Sequence, residues 1–344
     1  MLKENIKNFY PGYFALVMST GIIAIASHLL QADLISKILF FLNNCFYVVL
    51  LFIFIIHFTA YFPTFKQNLS AHAKGPGFLT IVAGSCILAN EYAQQQQYKT
   101  ATFLWVFSIL CWLLLLYSFI ALSILRTIKP ALEKALDGSW LLMVVSTQAI
   151  VITGGLLAEH LALPLAVTSF ILLCGWSLGV FLYIVIAGLI LFRLAFAPVH
   201  AQEITPAYWI DTGAAAISVV AGTGILTIFN SGQGFTEFIP IIKWIVTMLW
   251  SISSWWLPLL IILESWRHVK SGFKYSPAYW SLVFPLGMYT VATTRMEEQW
   301  TFSFLHTMAG VFFIISLIVW AIVLIGMIFS LIRIVAGKKQ MAAA

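Results

Sequence analysis

Apolar residues in this chain form long uninterrupted runs, unlike the alternating or amphipathic patterns of soluble domains. The runs cover about residues 11–31, 35–62, 76–93, 99–126, 138–158, 163–195, 206–229, 239–270, 276–297 and 302–335. A helix of about 20 apolar residues is long enough to cross a bilayer. The pattern predicts an all-α membrane protein with ten transmembrane helices. The run at 11–30 is long enough to be retained as helix one, although two lysines precede it as in a signal peptide.

Composition supports lipid as the main solvent, because 62% of the residues are hydrophobic and only 9% are charged. The net charge of +6 does not indicate a nucleic-acid partner, since the basic residues lie in the loops between apolar runs. All four cysteines fall inside apolar runs, which argues against a disulfide framework. We find no metal-ligand spacing, phosphate loop or catalytic constellation, and therefore expect no metal, no cofactor and no enzymatic activity.

The basic residues also predict the orientation. With the N-terminus inside, fourteen of the 18 lysines and arginines fall in inner segments: Lys3, Lys7, Lys66, Lys74, Arg126, Lys129, Lys134, Arg193, Arg267, Lys270, Lys274, Arg333, Lys338 and Lys339. The outer segments hold the other four, Lys37, Lys99, Lys243 and Arg295. We expect a multi-pass protein of the plasma or inner membrane with both termini in the cytoplasm. A single transmembrane domain would cover residues 9–335, followed by a cytoplasmic tail at 336–344.

The starts of the odd-numbered helices repeat. Proline or glycine followed closely by an aromatic residue opens these helices at Pro11, Pro76, Gly138, Pro206 and Pro277, at intervals of 65, 62, 68 and 71 residues. Proline suits the first turn of a helix, where its missing N–H costs nothing. Proline with aromatic residues is also a common membrane-interface anchor. We interpret the regular spacing as five helical hairpin repeats.

Odd and even helices differ in composition. Residues 207–229 contain 12 Gly, Ala, Ser or Thr in 23 positions, whereas residues 36–60 contain 3 in 25. Small residues permit close packing or line a polar path. We therefore predict an inner ring of odd helices that forms a pore and an outer ring of even helices; tight packing without a hole is the alternative. Five helix N-termini would then converge on the cytoplasmic side and favour anions.

Three segments resemble a known family. They are Pro11-Gly12-Tyr13-Phe14-Ala15-Leu16-Val17-Met18-Ser19-Thr20-Gly21, Pro206-Ala207-Tyr208-Trp209-Ile210-Asp211-Thr212-Gly213-Ala214 and Tyr279-Trp280-Ser281-Leu282-Val283-Phe284-Pro285-Leu286-Gly287. In order and context they are similar to the tellurite-resistance/dicarboxylate transporter family, which includes plant slow-type anion channels, yeast malate permeases and sulfite exporters. The resemblance spans about residues 9–335. It implies a homotrimer in which the odd helices of each protomer form a pore.

Within that family, a phenylalanine of helix nine that precedes a proline plugs the pore, and the matching residues here are Phe284 and Pro285. Without gaps, the same position in the other repeats holds Met18, Ala83, Val145 and Gly213. A single bulky ring among smaller side chains could close a pore by sterics and dewetting. The alternative is an ordinary packing aromatic, since the chain has 28 Phe.

Further candidates come from the odd helices. The predicted pore-lining residues are Ser19, Thr20, Ser85, Ser146, Thr147, Gly213 and Thr290. Asp211 is either a coupling carboxylate or a first-turn residue that complements the helix dipole near the inner surface. Gln148 either faces the path or bonds a neighbouring helix, and we favour the packing interpretation. Arg295, Glu297 and Glu298 suggest a local ion-pair cluster, with an extracellular vestibule as the alternative.

The leading functional hypothesis is a passive or weakly coupled channel for small anions, gated by Phe284. The alternative is a proton-coupled carrier or exporter of dicarboxylates such as malate, or of sulfite or tellurite. A carrier requires titratable groups in the path, and few buried carboxylates are predicted. The sequence thus favours the channel and leaves the physiological anion open.

Overall fold

The computed structural model describes residues 2–230, 235–273 and 275–342, and regular structure in this part of the chain is helical throughout. Its long helices are α1 (Ala15–Leu29), α2 (Asp33–Ala60), α3 (Thr80–Gln94), α4 (Tyr98–Leu125), α5 (Leu142–Leu157), α6 (Leu165–Phe196), α7 (Ile210–Asn230), α8 (Ile239–Ser271), α9 (Trp280–Trp300) and α10 (Ser303–Ala342). Short helices occupy Leu2–Lys7, Phe62–Leu69 and Leu132–Ala135.

Eight helical segments of the described chain are long and apolar enough to cross a membrane. The two long helices outside this group are α3 and α9, which end in the polar stretches 90–97 and 294–299. The chain is therefore an all-helical, multi-pass membrane protein. Helix α10 continues to Ala342, so helical structure extends into the segment 336–344 that the sequence assigns to a tail; residues 343 and 344 lie outside the described part.

Each odd-numbered helix begins with a short 3-10 turn. The turns are Pro11–Phe14, Gly75–Leu79, Gly138–Leu141, Pro206–Trp209 and Pro277–Tyr279. Four of them carry proline in their first two positions, where no intrahelical donor is lost. The turn at Gly138 is capped instead by Asp137, whose Oδ1 accepts hydrogen bonds from the Ser139 amide and hydroxyl. The repeated starts in the sequence thus share one local structure.

The odd helices contact one another in a closed order. Helix α1 packs against α3, α3 against α5, α5 against α7, α7 against α9, and α9 against α1. The five 3-10 turns contact one another in the same cyclic order, so the odd helices begin at one end of the bundle. We call this the helix-start end and the opposite one the far end.

Burial separates the odd from the even helices. In their most apolar stretches, 78% of the residues of the segments containing α1 and α5 are buried, and 83% for α7. The corresponding share for the even helices is 17–39%. Each even helix packs chiefly against the odd helix before or after it, for example α2 against α1 and α10 against α9. The odd helices therefore form the interior of the bundle, and the even helices carry most of its exposed apolar surface.

Candidate functional site

A cavity of about 220 Å³ lies among the odd helices, with a wall that runs from near their midpoints toward their far ends. All five odd helices contribute to its wall, and α6 adds Leu172. Most of the wall is apolar. The polar side chains that line it include Asn90 and Gln94 from α3 and Arg295 and Glu298 from α9.

Equivalent residues of the five odd helices face this cavity. Positions are counted on each helix from the residue matched in sequence with Phe284. Four residues later, the five equivalent positions all line the cavity: Ile22, Ile87, Ala149, Ile217 and Met288. Seven residues later, all five line it again: Ile25, Asn90, Ile152, Val220 and Val291. Positions separated by three or four residues share a helix face. Each odd helix therefore turns the same face inward, in the register defined by its start.

Phe284 lies one helical turn before the first of these positions on α9 and is 1% exposed. The matched residues Met18, Ala83 and Val145 are equally buried. The cavity wall thus begins one turn beyond the level of Phe284. The next residue, Pro285, lies inside α9 and packs against Gly213 of α7, where an added Cβ would come within 2.9 Å of the proline ring. Gly213 is therefore a close-packing position between α7 and α9.

Three of the predicted pore-lining hydroxyls bond to aromatic side chains on even helices. The pairs are Trp320 Nε1 with Thr20 Oγ1 at 3.1 Å, Tyr47 Oη with Ser85 Oγ at 2.8 Å, and Trp112 Nε1 with Thr147 Oγ1 at 3.0 Å. These contacts join odd helices to the even helices around them, and they satisfy polar groups that would be costly to leave unpaired in an apolar surrounding.

The other three hydroxyls bond to backbone carbonyls. Ser19 donates to the Trp280 carbonyl at 2.7 Å, which ties α1 to the start of α9. Ser146 and Thr290 donate to carbonyls three and four residues earlier in their own helices. None of the seven predicted pore-lining residues belongs to the wall of this cavity. Their role as pore lining stays a prediction.

Asp211 is the second residue of α7 and is completely buried. Neither of its carboxylate oxygens has a hydrogen-bond partner among the described residues. It lies within electrostatic range of Asp137 and Tyr183. The carboxyl group is thus in the first turn, as expected, but is enclosed by protein instead of lying at a surface.

The polar surroundings of Asp211 at the helix-start end include Asp137 and Arg193. Burial raises the pKa of the Asp137 carboxyl, while the hydrogen bonds from Ser139 and the charge of Arg193 act in the opposite direction. The Arg193 guanidinium donates to the Glu133 carbonyl at 2.9 Å and lies 5.8 Å from the ring centre of Tyr208. An arginine, two carboxyls and a tyrosine are therefore gathered where the odd helices begin.

Arg295 and Glu298 form an ion pair in the cavity wall near its far end. Nη1 of Arg295 lies 2.9 Å from both carboxylate oxygens of Glu298. The adjacent Glu297 pairs with His306 at 3.2 Å and is not part of the wall. The ion-pair interpretation of this cluster agrees with these distances, and the position of the Arg295–Glu298 pair also makes it part of the cavity mouth.

Glu91 and Asn43 form a buried polar pair that is not among the residues predicted from the sequence. Glu91 of α3 is 2% exposed, and its Oε2 accepts a hydrogen bond from Asn43 Nδ2 of α2 at 2.5 Å. Gly21 of α1 lies against both side chains. The signal in the sequence that could have indicated this pair is an acidic residue in an otherwise apolar helix.

Gln148 donates to the Trp176 carbonyl at 3.2 Å, in agreement with its interpretation as a packing residue.

A multi-pass helical bundle whose internal cavity is lined by five of its helices fits a membrane transport protein. The family model "Voltage-dependent anion channel" matches residues 8–328, and this chain belongs to that family. The match confirms the family resemblance seen in the three sequence segments. The names printed for the family and for its relatives are those of channels, transporters and efflux pumps.

Curated relatives agree with this assignment. An uncharacterized transporter of Methanocaldococcus jannaschii is 26% identical over 333 residues, which cover 93% of this chain and 92% of the relative. A sulfite efflux pump of Arthroderma benhamiae is 25% identical over 346 residues, covering 92% of this chain and 89% of the pump. The similarity to both therefore extends over nearly the whole length of each protein.

Proposed function

We propose that this protein is a channel for small anions, with a pore along the axis enclosed by α1, α3, α5, α7 and α9. The observation that carries the proposal is the cavity wall, to which all five helices contribute equivalent positions. The closed order of contacts among the odd helices supports an inner ring, and the higher exposure of the even helices supports an outer one. Five hairpin repeats account for both.

Selectivity for anions follows from the helix ends. The 3-10 turns that begin the odd helices contact one another, so five helix N-termini lie close together. Each N-terminus carries unpaired N–H groups and a partial positive charge. Such a cluster favours anions without a buried lysine or arginine. Because the cavity wall is mostly apolar, weakly hydrated anions should pass most easily.

Phe284 is the proposed gate. Its position one turn before the cavity wall and its complete burial support a ring that closes the path at that level. Pro285 supports the arrangement, because its contact with Gly213 holds α9 against α7 next to the ring. If the ring has an ordinary packing role instead, its truncation should lower stability and leave the current unchanged.

The proposed topology has ten membrane-crossing helices, with α3 and α9 crossing inside the bundle where lipid does not reach them. The helix-start end would face the cytoplasm, together with both termini, in the plasma or inner membrane. The lysine and arginine distribution supports this orientation. Of the residues in that count, Lys274 lies outside the described residues, as do the side chains of Lys338 and Lys339. A homotrimer, with lipid around it, would use exposed surfaces of the even helices.

Bilayer recordings of the purified protein test the proposal. Under asymmetric gradients of chloride, nitrate and malate, we expect large currents that reverse near the potential of the permeant anion. Iodide should permeate more readily than fluoride. Reversal potentials that follow the cation, or a strong preference for fluoride, would contradict the proposed pore.

The second candidate is a proton-coupled exporter of sulfite or a related oxyanion, or a carrier of dicarboxylates such as malate. Relatives named as sulfite efflux pumps favour it, and so does the buried Asp211 carboxyl, which has no hydrogen-bond partner among the described residues. Slow uptake into proteoliposomes, driven by a pH gradient and without measurable current, would support this carrier over the channel.

A further inference from the structure

The cavity contains one arginine in its wall, and that arginine already holds an anion of the protein's own. Both carboxylate oxygens of Glu298 lie 2.9 Å from Nη1 of Arg295. A guanidinium group binds small oxyanions through the same N–H donors. The Glu298 carboxylate therefore occupies the Nη1 donors of Arg295, for which an oxyanion entering the cavity would compete.

The surroundings of the pair suit a small polar ligand. Gln94 and Asn90 line the same cavity on helix α3, and the side-chain amide of each carries N–H groups that can donate to an oxyanion. Two other charged groups near this end of α9 have partners of their own. Glu297 pairs with His306, and Lys243 lies 5.6 Å from the ring centre of Trp300.

We propose that Arg295 is an anion-docking residue at the far mouth of the cavity and that Glu298 is an internal competitor for it. The ligand class is a small oxyanion, such as nitrate, sulfite or a carboxylate. The inference rests on the proposed anion pathway and adds a specific site to it. Competition keeps docking weak, and a conducting pathway needs weak docking because an ion that binds must also leave.

The side chains of the pair are partly exposed, 32% for Arg295 and 44% for Glu298. Pairs of this kind contribute roughly 0.2–1 kcal/mol, which corresponds to a factor of about one and a half to five in affinity. Glu298→Gln should therefore lower the half-saturating nitrate concentration by up to about fivefold. Arg295→Gln should raise it, and Glu298→Gln should have no further effect in the Arg295→Gln background.

Glu297→Gln is the matched control. It makes the same change of charge one residue away on the same helix, but Glu297 is not part of the cavity wall. Two readouts are measured on each purified variant at constant ionic strength. One is the nitrate dependence of current in bilayers, and the other is the nitrate dependence of the melting temperature, which reports binding without requiring transport.

A selective shift for Glu298→Gln that requires Arg295 would support the docking site. Equal shifts for Glu298→Gln and Glu297→Gln would overturn it, because they would indicate a general surface potential. An unchanged nitrate dependence in Arg295→Gln would also overturn it, even if the channel conducts. Nitrate-dependent melting that requires Arg295, in a protein that carries no current, would retain the docking site and refute the channel.

Discussion

Replacing Phe284 with alanine removes a ring that is 1% exposed and lies one turn from the cavity wall. At the same level, the other odd helices present Met18, Ala83, Val145 and Gly213. Only one of these four is a long side chain. If the ring closes the path, its removal leaves no second aromatic side chain at this level to replace it.

The two interpretations of the ring differ in measurable free energies. A ring packed in a core costs about 3–5 kcal/mol of stability when it is truncated to alanine. A ring that obstructs a path raises the barrier to permeation, and each 1.4 kcal/mol of barrier removed corresponds to about a tenfold increase in rate. We therefore expect at least about a tenfold rise in basal anion current for Phe284→Ala. Phe284→Leu should give a smaller rise, because leucine retains much of the bulk.

Phe229 of α7 provides a matched control, since it is equally buried but lies at the far end of its helix, away from the level of Phe284. Phe229→Ala should lower the melting temperature and leave the current per folded protein unchanged. Current and melting temperature are measured on the same purified preparations, so that folding and conduction are separated. For Phe284→Ala, a lowered melting temperature with unchanged current would refute the gate and establish a packing role.

Three other substitutions have defined outcomes. Asp211→Asn should leave both the anion current and its pH dependence unchanged in a passive channel, whereas loss of pH-driven uptake in this variant would support a proton-coupled carrier. Burial raises the pKa of Asp137 above its usual value, so the folded chain binds this proton more tightly than the unfolded chain. The protein therefore loses stability as the pH rises from about 4 through the folded pKa. Asp137→Asn should flatten that part of the melting-temperature profile, and an unchanged slope would contradict the raised pKa of Asp137. Gly138→Ala would drive a methyl group into the Ala207 carbonyl and should lower the free energy of unfolding by about 1–3 kcal/mol. The control Gly188→Ala, which adds its methyl group in open space, should be neutral. Equal effects of the two substitutions would refute the close approach of Gly138 to Ala207.

The sequence alone was sufficient for the helical class, the family and the repeated starts of the odd helices. The reason is local. A proline or a capped glycine followed by aromatic residues begins each of these helices, and a helix start defines the rotational phase of every residue after it. Once Phe284 was matched with Met18, Ala83, Val145 and Gly213, residues four and seven positions later necessarily shared one face of each helix. The cavity wall follows that register.

Which hydroxyl groups face the cavity was not determined by composition. Serine and threonine can satisfy their hydroxyl groups on a carbonyl of the preceding turn, as Thr290 does with Leu286. They can also bond to a neighbouring helix, as Thr147 does with Trp112. A high content of small polar residues is therefore compatible with close packing, with a polar path, or with both.

Contacts between helices distant in sequence were decided by the tertiary structure alone. Asn43 meets Glu91, and Arg295 and Glu298 enter a cavity wall built by four other odd helices. From the sequence, Arg295 and Glu298 are two charges three residues apart at a helix end, a pattern that fits an exposed ion pair equally well. Their relation to a cavity depends on the rotation and tilt of α9 against its neighbours. Close packing, such as that of Pro285 on Gly213, defines this relation, and no single segment encodes it.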